Sequence, residues 1–326
     1  MYKYIFTILI SPLFIITTVK AQLSNATKSI KTVVAAKDTA SKKDTVTHKK
    51  SSLKIGLTYS SNAVYLARTD SIATPNYGLG LTYTLKSGIF FAAEVNYIPS
   101  RQFDKLDAGG LAAGYNFDLD NLSGGIAVSK YIASFNSTQV ISALDATVGA
   151  GLSYNLFDVV TPSIHADYAL VKSGGNDFLL TGGLGHEFEF EKVLTKGDHL
   201  SIEPKAEVVA GTQNFLSTYY TRKKNSASQR QAASSKGKGK NATSTSTTTT
   251  TTSSPQATSV TSSASKFQTL AYEYTLPIGY SWKKIGFSVA PTYAVAVHKI
   301  TDDGTTTTYL PNSSVFYVQV GLSYTF

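Results

Sequence analysis

Residues able to do acid–base chemistry are few in this chain and widely spaced. His165 and Asp167 stand two apart, while His298 and Glu273 each stand alone in stretches of alternating polarity. An imidazole oriented by a carboxylate can act as a general base, and in a membrane enzyme it would attack a lipid ester at the outer leaflet. The i, i+2 spacing puts His165 and Asp167 on one face of a strand, early in that strand, where a hydrogen-bonded pair bracing the interior is the ordinary use. Glu187, Glu189 and Glu191 share a second strand face, and Glu203, Lys205 and Glu207 a third. With those faces aligned, Glu187 would meet Lys205 and leave an acidic excess, fit either to tune a pore or to brace a filled interior. The chain has no cysteine, which removes thiol nucleophiles, thiolate metal sites, disulfides and a lipidated anchor. No cofactor or metal motif is present, since Lys236-Gly237-Lys238-Gly239-Lys240 lacks the strand and helix that aim a phosphate loop.

The elements that must position these groups are strands. Of 326 residues, 16% are charged and 42% apolar, with 24 Gly, 20 Tyr and 16 Phe, a balance that disfavours both wholesale disorder and long helices. Period-two alternation starts at Leu53, Ile55, Leu57 and Tyr59, with Lys54, Gly56, Thr58 and Ser60 on the other face. It recurs through Tyr77 to Leu85, Ile89 to Tyr97, Leu111 to Phe117, Leu122 to Ile132, 140–156, 162–171, 178–190, 200–213, 268–280, 285–298 and 315–326. About twelve strands are expected. One face is consistently large and apolar, whereas the other is Gly, Ala, Ser, Thr and Asn with occasional charge. That is the composition of a closed antiparallel transmembrane β-barrel, whose apolar face meets lipid and whose closure satisfies backbone groups that water cannot reach.

Turn lengths give the expected barrel two distinct ends. Short turns fall at Lys86, Asp118, Asp158 and Trp282, and a longer charged one spans Lys192 to His199; the long connections Ser61 to Pro75, Ser217 to Lys266 and Ile300 to Ser314 alternate with them. Outer-membrane barrels put short turns in the periplasm and long loops outside. Tyr83, Phe91, Phe117, Tyr154, Phe188, Tyr280, Phe287 and Tyr324 gather on the apolar face toward the short-turn side, at the depth that amphipathic rings favour.

Residues 1–21 have the parts of a secretory signal, with Lys3, an apolar run from Tyr4 to Val19 and small residues ending at Ala21. Residues 22–52 are expected to form a disordered leader, and the barrel to occupy 53–326 with a disordered surface loop at about 217–266. The formal charge of +9 resides mainly in the leader and in that loop. Arg222, Lys223, Lys224, Lys236, Lys238 and Lys240 could contact the phosphates of lipopolysaccharide. Nucleic acid is not an expected partner, because no basic and aromatic platform accompanies the charge. Asp38-Thr39-Ala40, Asp44-Thr45-Val46 and Asp70-Ser71-Ile72 look like the short Asp-Ser/Thr-apolar motif O-glycosylated in some Gram-negative bacteria.

The chain ends Val318-Gln319-Val320-Gly321-Leu322-Ser323-Tyr324-Thr325-Phe326. This resembles the carboxy-terminal recognition strand of Gram-negative outer-membrane β-barrel proteins, and with the strand series the likeness spans most of 53–326. It implies that Val320, Leu322, Tyr324 and Phe326 are read by the barrel-insertion machinery during assembly. No subfamily's functional residues can be carried over. The function expected is a non-enzymatic barrel, either a narrow passive pore or a surface scaffold, with a barrel enzyme acting on envelope lipids as the alternative.

Overall fold

The computed structural model describes residues 50–69, 74–100, 105–134, 137, 139–219, 265–297 and 314–326. Twelve antiparallel strands form one closed barrel: β1 (Ser52–Ser60), β2 (Asn76–Thr84), β3 (Ile89–Tyr97), β4 (Leu106–Leu119), β5 (Leu122–Ala133) and β6 (Leu144–Tyr154) make the first half. The second half comprises β7 (Thr161–Val171), β8 (Asp177–Gly185, continued by Phe188–Glu191), β9 (Asp198–Ile202 and Lys205–Gly211), β10 (Gln268–Thr275 and Ile278–Trp282), β11 (Ile285–Ala296) and β12 (Ser314–Thr325). Each strand pairs with its sequence neighbours. Closure comes from β1 against β12, in register from Lys54↔Thr325 to Ser60↔Gln319. The expected strand 140–156 begins later than its pattern suggested, because Val140–Ala143 is a buried 3₁₀ turn.

The outward rows are the large apolar ones, and they are exposed. Leu57 is 56% accessible, Leu111 56%, Ile126 59% and Leu184 58%. A continuous belt of such side chains around a closed sheet has no protein layer over it, and hydrocarbon is the solvent in which that arrangement is stable. No helix among the described residues is long and apolar enough to cross a membrane; the crossing elements are the strands.

The turn end is built from tight connections. Gly88 (φ 93°) closes the β2–β3 turn, Asp120 (φ 48°) the β4–β5 turn and Lys283 (φ 55°) the β10–β11 turn. Between β8 and β9, the Asp198 carboxylate accepts the backbone N–H groups of Val193, Leu194 and Thr195, each at 2.8 Å, and the Tyr280 hydroxyl at 2.9 Å. Strands β8, β9 and β10 break near this end at 186–187, at 203–204 and at 276–277, the last two at Pro204 and Pro277. Proline lacks the donor for a ladder, but its carbonyl still accepts: His186 N–H bonds Pro204 O at 3.2 Å and Glu203 N–H bonds Pro277 O at 2.9 Å. The three strands therefore bend together and stay paired.

Inward glycines admit the few large side chains that turn to the axis. Phe90 is fully buried inside the wall and lies over Gly114, where a Cβ would sit 2.7 Å from its ring carbons and against Ile126 O. At Gly56 a Cβ would meet nothing nearer than 3.8 Å. Gly114→Ala is therefore expected to lower stability by about 1–3 kcal/mol and Gly56→Ala to leave it within about 0.5 kcal/mol. Urea titration of the folded barrel, followed by its heat-sensitive gel mobility, checks this; equal midpoints for the two variants would contradict it.

Candidate functional site in the barrel lumen

The inward rows divide the lumen into two halves. Toward the turn end, water reaches the interior: Ser288 points inward yet is exposed, and Lys54, Thr82, Ser163 and Ser323 are half-buried. Toward the loop end the inward residues are buried, among them Asn76, Asn96, Thr292, Ala294 and Tyr317. The difference is made by polypeptide packed inside the barrel.

That filling comes from the β1–β2 connection, the 3₁₀ turn Val140–Ala143 and a helical turn over 214–219. Asn62-Ala63-Val64-Tyr65-Leu66-Ala67 leaves β1 as a mostly apolar run with no alternation, so it cannot extend the wall and is driven out of water. It folds as a small hairpin, Val64–Tyr65 against Arg68–Thr69, with every residue buried. Leu66 (φ 50°) and Ala67 (φ 60°) make its tip in the left-handed region that glycine or asparagine normally supplies. Packing sustains that cost. Tyr65 meets Phe215 edge-on at 4.7 Å between centroids, and Leu66 shares a cluster with Leu216, Tyr219 and Ile141. Val64 and Ala67 pack on Ala271, Ala294 and Tyr317.

Arg68 fastens the hairpin. Its guanidinium is fully buried, donates from Nη1 to Leu66 O at 2.5 Å and from Nη2 to Gln213 Oε1 at 2.7 Å, and stands 6.0 Å over the Phe215 ring. Opposite, Asp177 at the start of β8 holds the helical turn, accepting from Asn214 N–H at 2.6 Å, Phe215 N–H at 2.8 Å and the Thr212 hydroxyl at 2.7 Å. The Ser265 hydroxyl donates to Asn214 Oδ1 at 3.0 Å, so the chain returns to the same place after residue 264.

His165 and Asp167 face the lumen as their spacing requires, with Nε2 and Oδ1 2.8 Å apart and both side chains buried. Their place is near the middle of β7. Gly149 and Gly151 make the room, since a Cβ at Gly151 would lie 2.6 Å from His165 Nδ1 and one at Gly149 would strike Asp167 Oδ1. Both groups look away from lipid. Glu94 projects inward between Gly80 and Gly110 on the flanking strands.

The carboxylates grouped by sequence do not form one cluster. Lys205 lies opposite Gly185, not Glu187, and the same register runs on through the break to Phe188↔Ile202, two residues from the pairing that would bring Lys205 and Glu187 together; its ammonium pairs instead with Glu203 at 2.6 Å. Glu189 sits past the β8 break, opposite Ser201 and 3.8 Å from His199. Glu207 lies deeper, opposite Gly183 and Glu273. On β12, Leu322, Tyr324 and Phe326 are exposed on the outward face with Val320 half-buried in the same row, and Phe326 N–H bonds Leu53 O at 2.9 Å across the seam. His298, Arg222, Lys223, Lys224, Lys236, Lys238, Lys240, the signal segment, residues 22–49 of the leader and the three Asp-Ser/Thr motifs lie outside the described residues. The sequence reading missed the hairpin, the helical turn, Arg68 and Asp177; the unpatterned run Asn62 to Ala67 was the one available signal.

No protein-family model matches the chain, and no curated protein sequence does. Among solved structures it is similar to the KdgM porin, at 9% identity and a TM-score of 0.41 over 84% of this chain and 99% of that one. The NanC porin gives 10% and 0.40 over 83% and 98%. LpxR from Salmonella typhimurium gives 10% and 0.40 over 84% and 99%. These are likenesses of general shape, and the barrel itself is established by its own strand pairing.

Removing the Arg68 side chain leaves Gln213 Oε1 and Leu66 O without their donor inside the barrel. Arg68→Ala is expected to loosen the hairpin by about 1–3 kcal/mol, seen as faster amide hydrogen exchange over 63–69 while β3–β7 exchange as before. Unchanged exchange at 63–69 would show that packing alone holds it.

Proposed function

We propose that this chain is a non-enzymatic outer-membrane β-barrel that stands closed at its outer mouth and serves as a surface scaffold, with the turn end in the periplasm. The observation that carries the reading is the filled loop-end half of the lumen, where the hairpin at 64–69 and the helical turn at 214–219 occupy the path a solute would take. Small inward residues at the turn end leave a water-filled vestibule, so the same barrel becomes a narrow passive pore once the hairpin is displaced. The lipid-hydrolase alternative has less support, because His165 and Asp167 are turned to the axis and engaged with each other.

Delivery follows the order expected from the sequence. The signal segment is removed, the insertion machinery reads Val320, Leu322, Tyr324 and Phe326, and the basic segment from Arg222 to Lys240 is displayed outside, where lipopolysaccharide phosphates are its natural counter-ions.

Planar-bilayer recording tests the closed state. The intact chain is expected to give no stepwise conductance at modest voltage, and a variant with residues 62–69 replaced by a short Gly-Ser linker is expected to give discrete steps, as an unfilled twelve-strand lumen should. Steps from the intact chain would overturn the closed reading; a silent variant would place the obstruction elsewhere.

A further inference from the structure

The outer wall carries an ion pair. Along the twelve strands, among the described residues, Lys130 on β5 and Asp145 on β6 are the only charged side chains turned outward above the turn-end rim. Other outward positions beside them are apolar, with Leu111 opposite Lys130 on β4, Val128 below it and Ile132 above it, all exposed. Lys130 Nζ donates to Asp145 Oδ1 at 2.7 Å, and the side chains are 53% and 42% accessible. By alternation Asp145 belongs with the inward Thr147 and Gly149. A bulge puts it outside: the β6–β7 register passes from Leu144↔Val171 to Ala146↔Leu170 and leaves Asp145 as the extra residue.

A charged side chain on the lipid face costs about 2–4 kcal/mol at mid-depth for lysine and about 0–1 near the interface. Lys130 lies three residues below the loop end of β5, about 8 Å in height for a strand tilted as in such barrels. That is the layer of lipid headgroups and acyl-chain attachment. An exposed pair there adds little stability of its own. It does hold the ammonium still, with one N–H on Asp145 and two left for another acceptor. Further along the same wall, the outward Tyr168 hydroxyl accepts from Asn176 Nδ2 at 3.0 Å and keeps its own proton to donate. Lipid-facing Val128, Val148 and Ile164 lie on the turn-end side of these groups.

We propose that this wall, from β5 to β8, is a binding site for a phosphate-bearing lipid of the outer leaflet. Lys130 donates to the phosphate, Asp145 fixes the ammonium, the Tyr168 hydroxyl meets a sugar or glycerol oxygen, and the aliphatic rows below receive acyl chains. This extends the membrane reading above and is independent of the plugged lumen.

Native mass spectrometry of the full chain in a phosphate-free maltoside detergent tests it, with bisphosphorylated lipid A, phosphatidylglycerol and the phosphate-free digalactosyl diacylglycerol as separate probes. One retained lipid A per barrel is expected, with retention falling at least about tenfold in Lys130→Gln and restored in Lys130→Arg. Retention of phosphatidylglycerol in place of lipid A, with the same lysine dependence, supports the phosphate site and names phospholipid as its source. Equal retention by wild type and Lys130→Gln, or equal retention of the galactolipid, overturns it. Bilayer conductance is expected to be identical in wild type and Lys130→Gln, so the site and the closed lumen fail separately.

Discussion

Every described part of this molecule depends on the seam between β1 and β12. In hydrocarbon an unpaired backbone N–H or C=O costs several kcal/mol with no water to relieve it, so a sheet crossing a membrane has to return to its own first strand. Seven paired positions from Lys54 to Ser60 achieve that return, and Phe326 N–H on Leu53 O extends it by one bond. Once the sheet is closed, inside and outside are defined by residue parity. Leu57 then meets lipid while Thr58 meets the lumen, and a single-residue slip would reverse both.

Closure also creates an interior that has to be filled by water or by protein, and this chain uses both. Glycine and serine rows keep the turn end open to water, whereas the loop end holds a hairpin whose Leu66–Ala67 tip is costly in isolation. Buried Arg68 and the ring contacts to Phe215 offset that cost. The result is a barrel whose loop-end mouth is tied to the polypeptide flanking residues 220–264, since Gln213, Phe215 and Asn214 all belong to the stretch from which that segment departs.

The wall was legible in the sequence because a strand between lipid and a polar lumen must alternate, and nothing competes with that rule over ten residues. Strand number, antiparallel order, short-turn positions and the outward row of Val320 to Tyr324 followed from it. The inward placement of His165 and Asp167 did too. The interior was not legible, since the hairpin at 64–69 is recognised by what it touches across the barrel, and Tyr65 to Phe215 is a contact between residues 150 apart in the chain. Parity failed wherever the ladder gained or lost a residue. Alternation puts Asp145 in the lumen, yet a bulge turns it to the lipid side, and Lys205 missed Glu187 because the β8–β9 register, Gly185↔Lys205 and Phe188↔Ile202, lies two residues from the pairing that would join them. Such irregularities depend on local backbone geometry that alternation cannot encode.

The central physical claim is that hydrocarbon covers the apolar rows and water the opposite rows at the turn end. Since the native chain has no cysteine, single spin labels can be placed at Leu79→Cys, Gly80→Cys, Leu81→Cys and Thr82→Cys along β2 in lipid vesicles. Collision with dissolved oxygen, which concentrates in hydrocarbon, is expected to dominate at 79 and 81, and collision with a water-soluble nickel chelate at 80 and 82. Uniform accessibility along the four positions, or the opposite parity, would contradict the account.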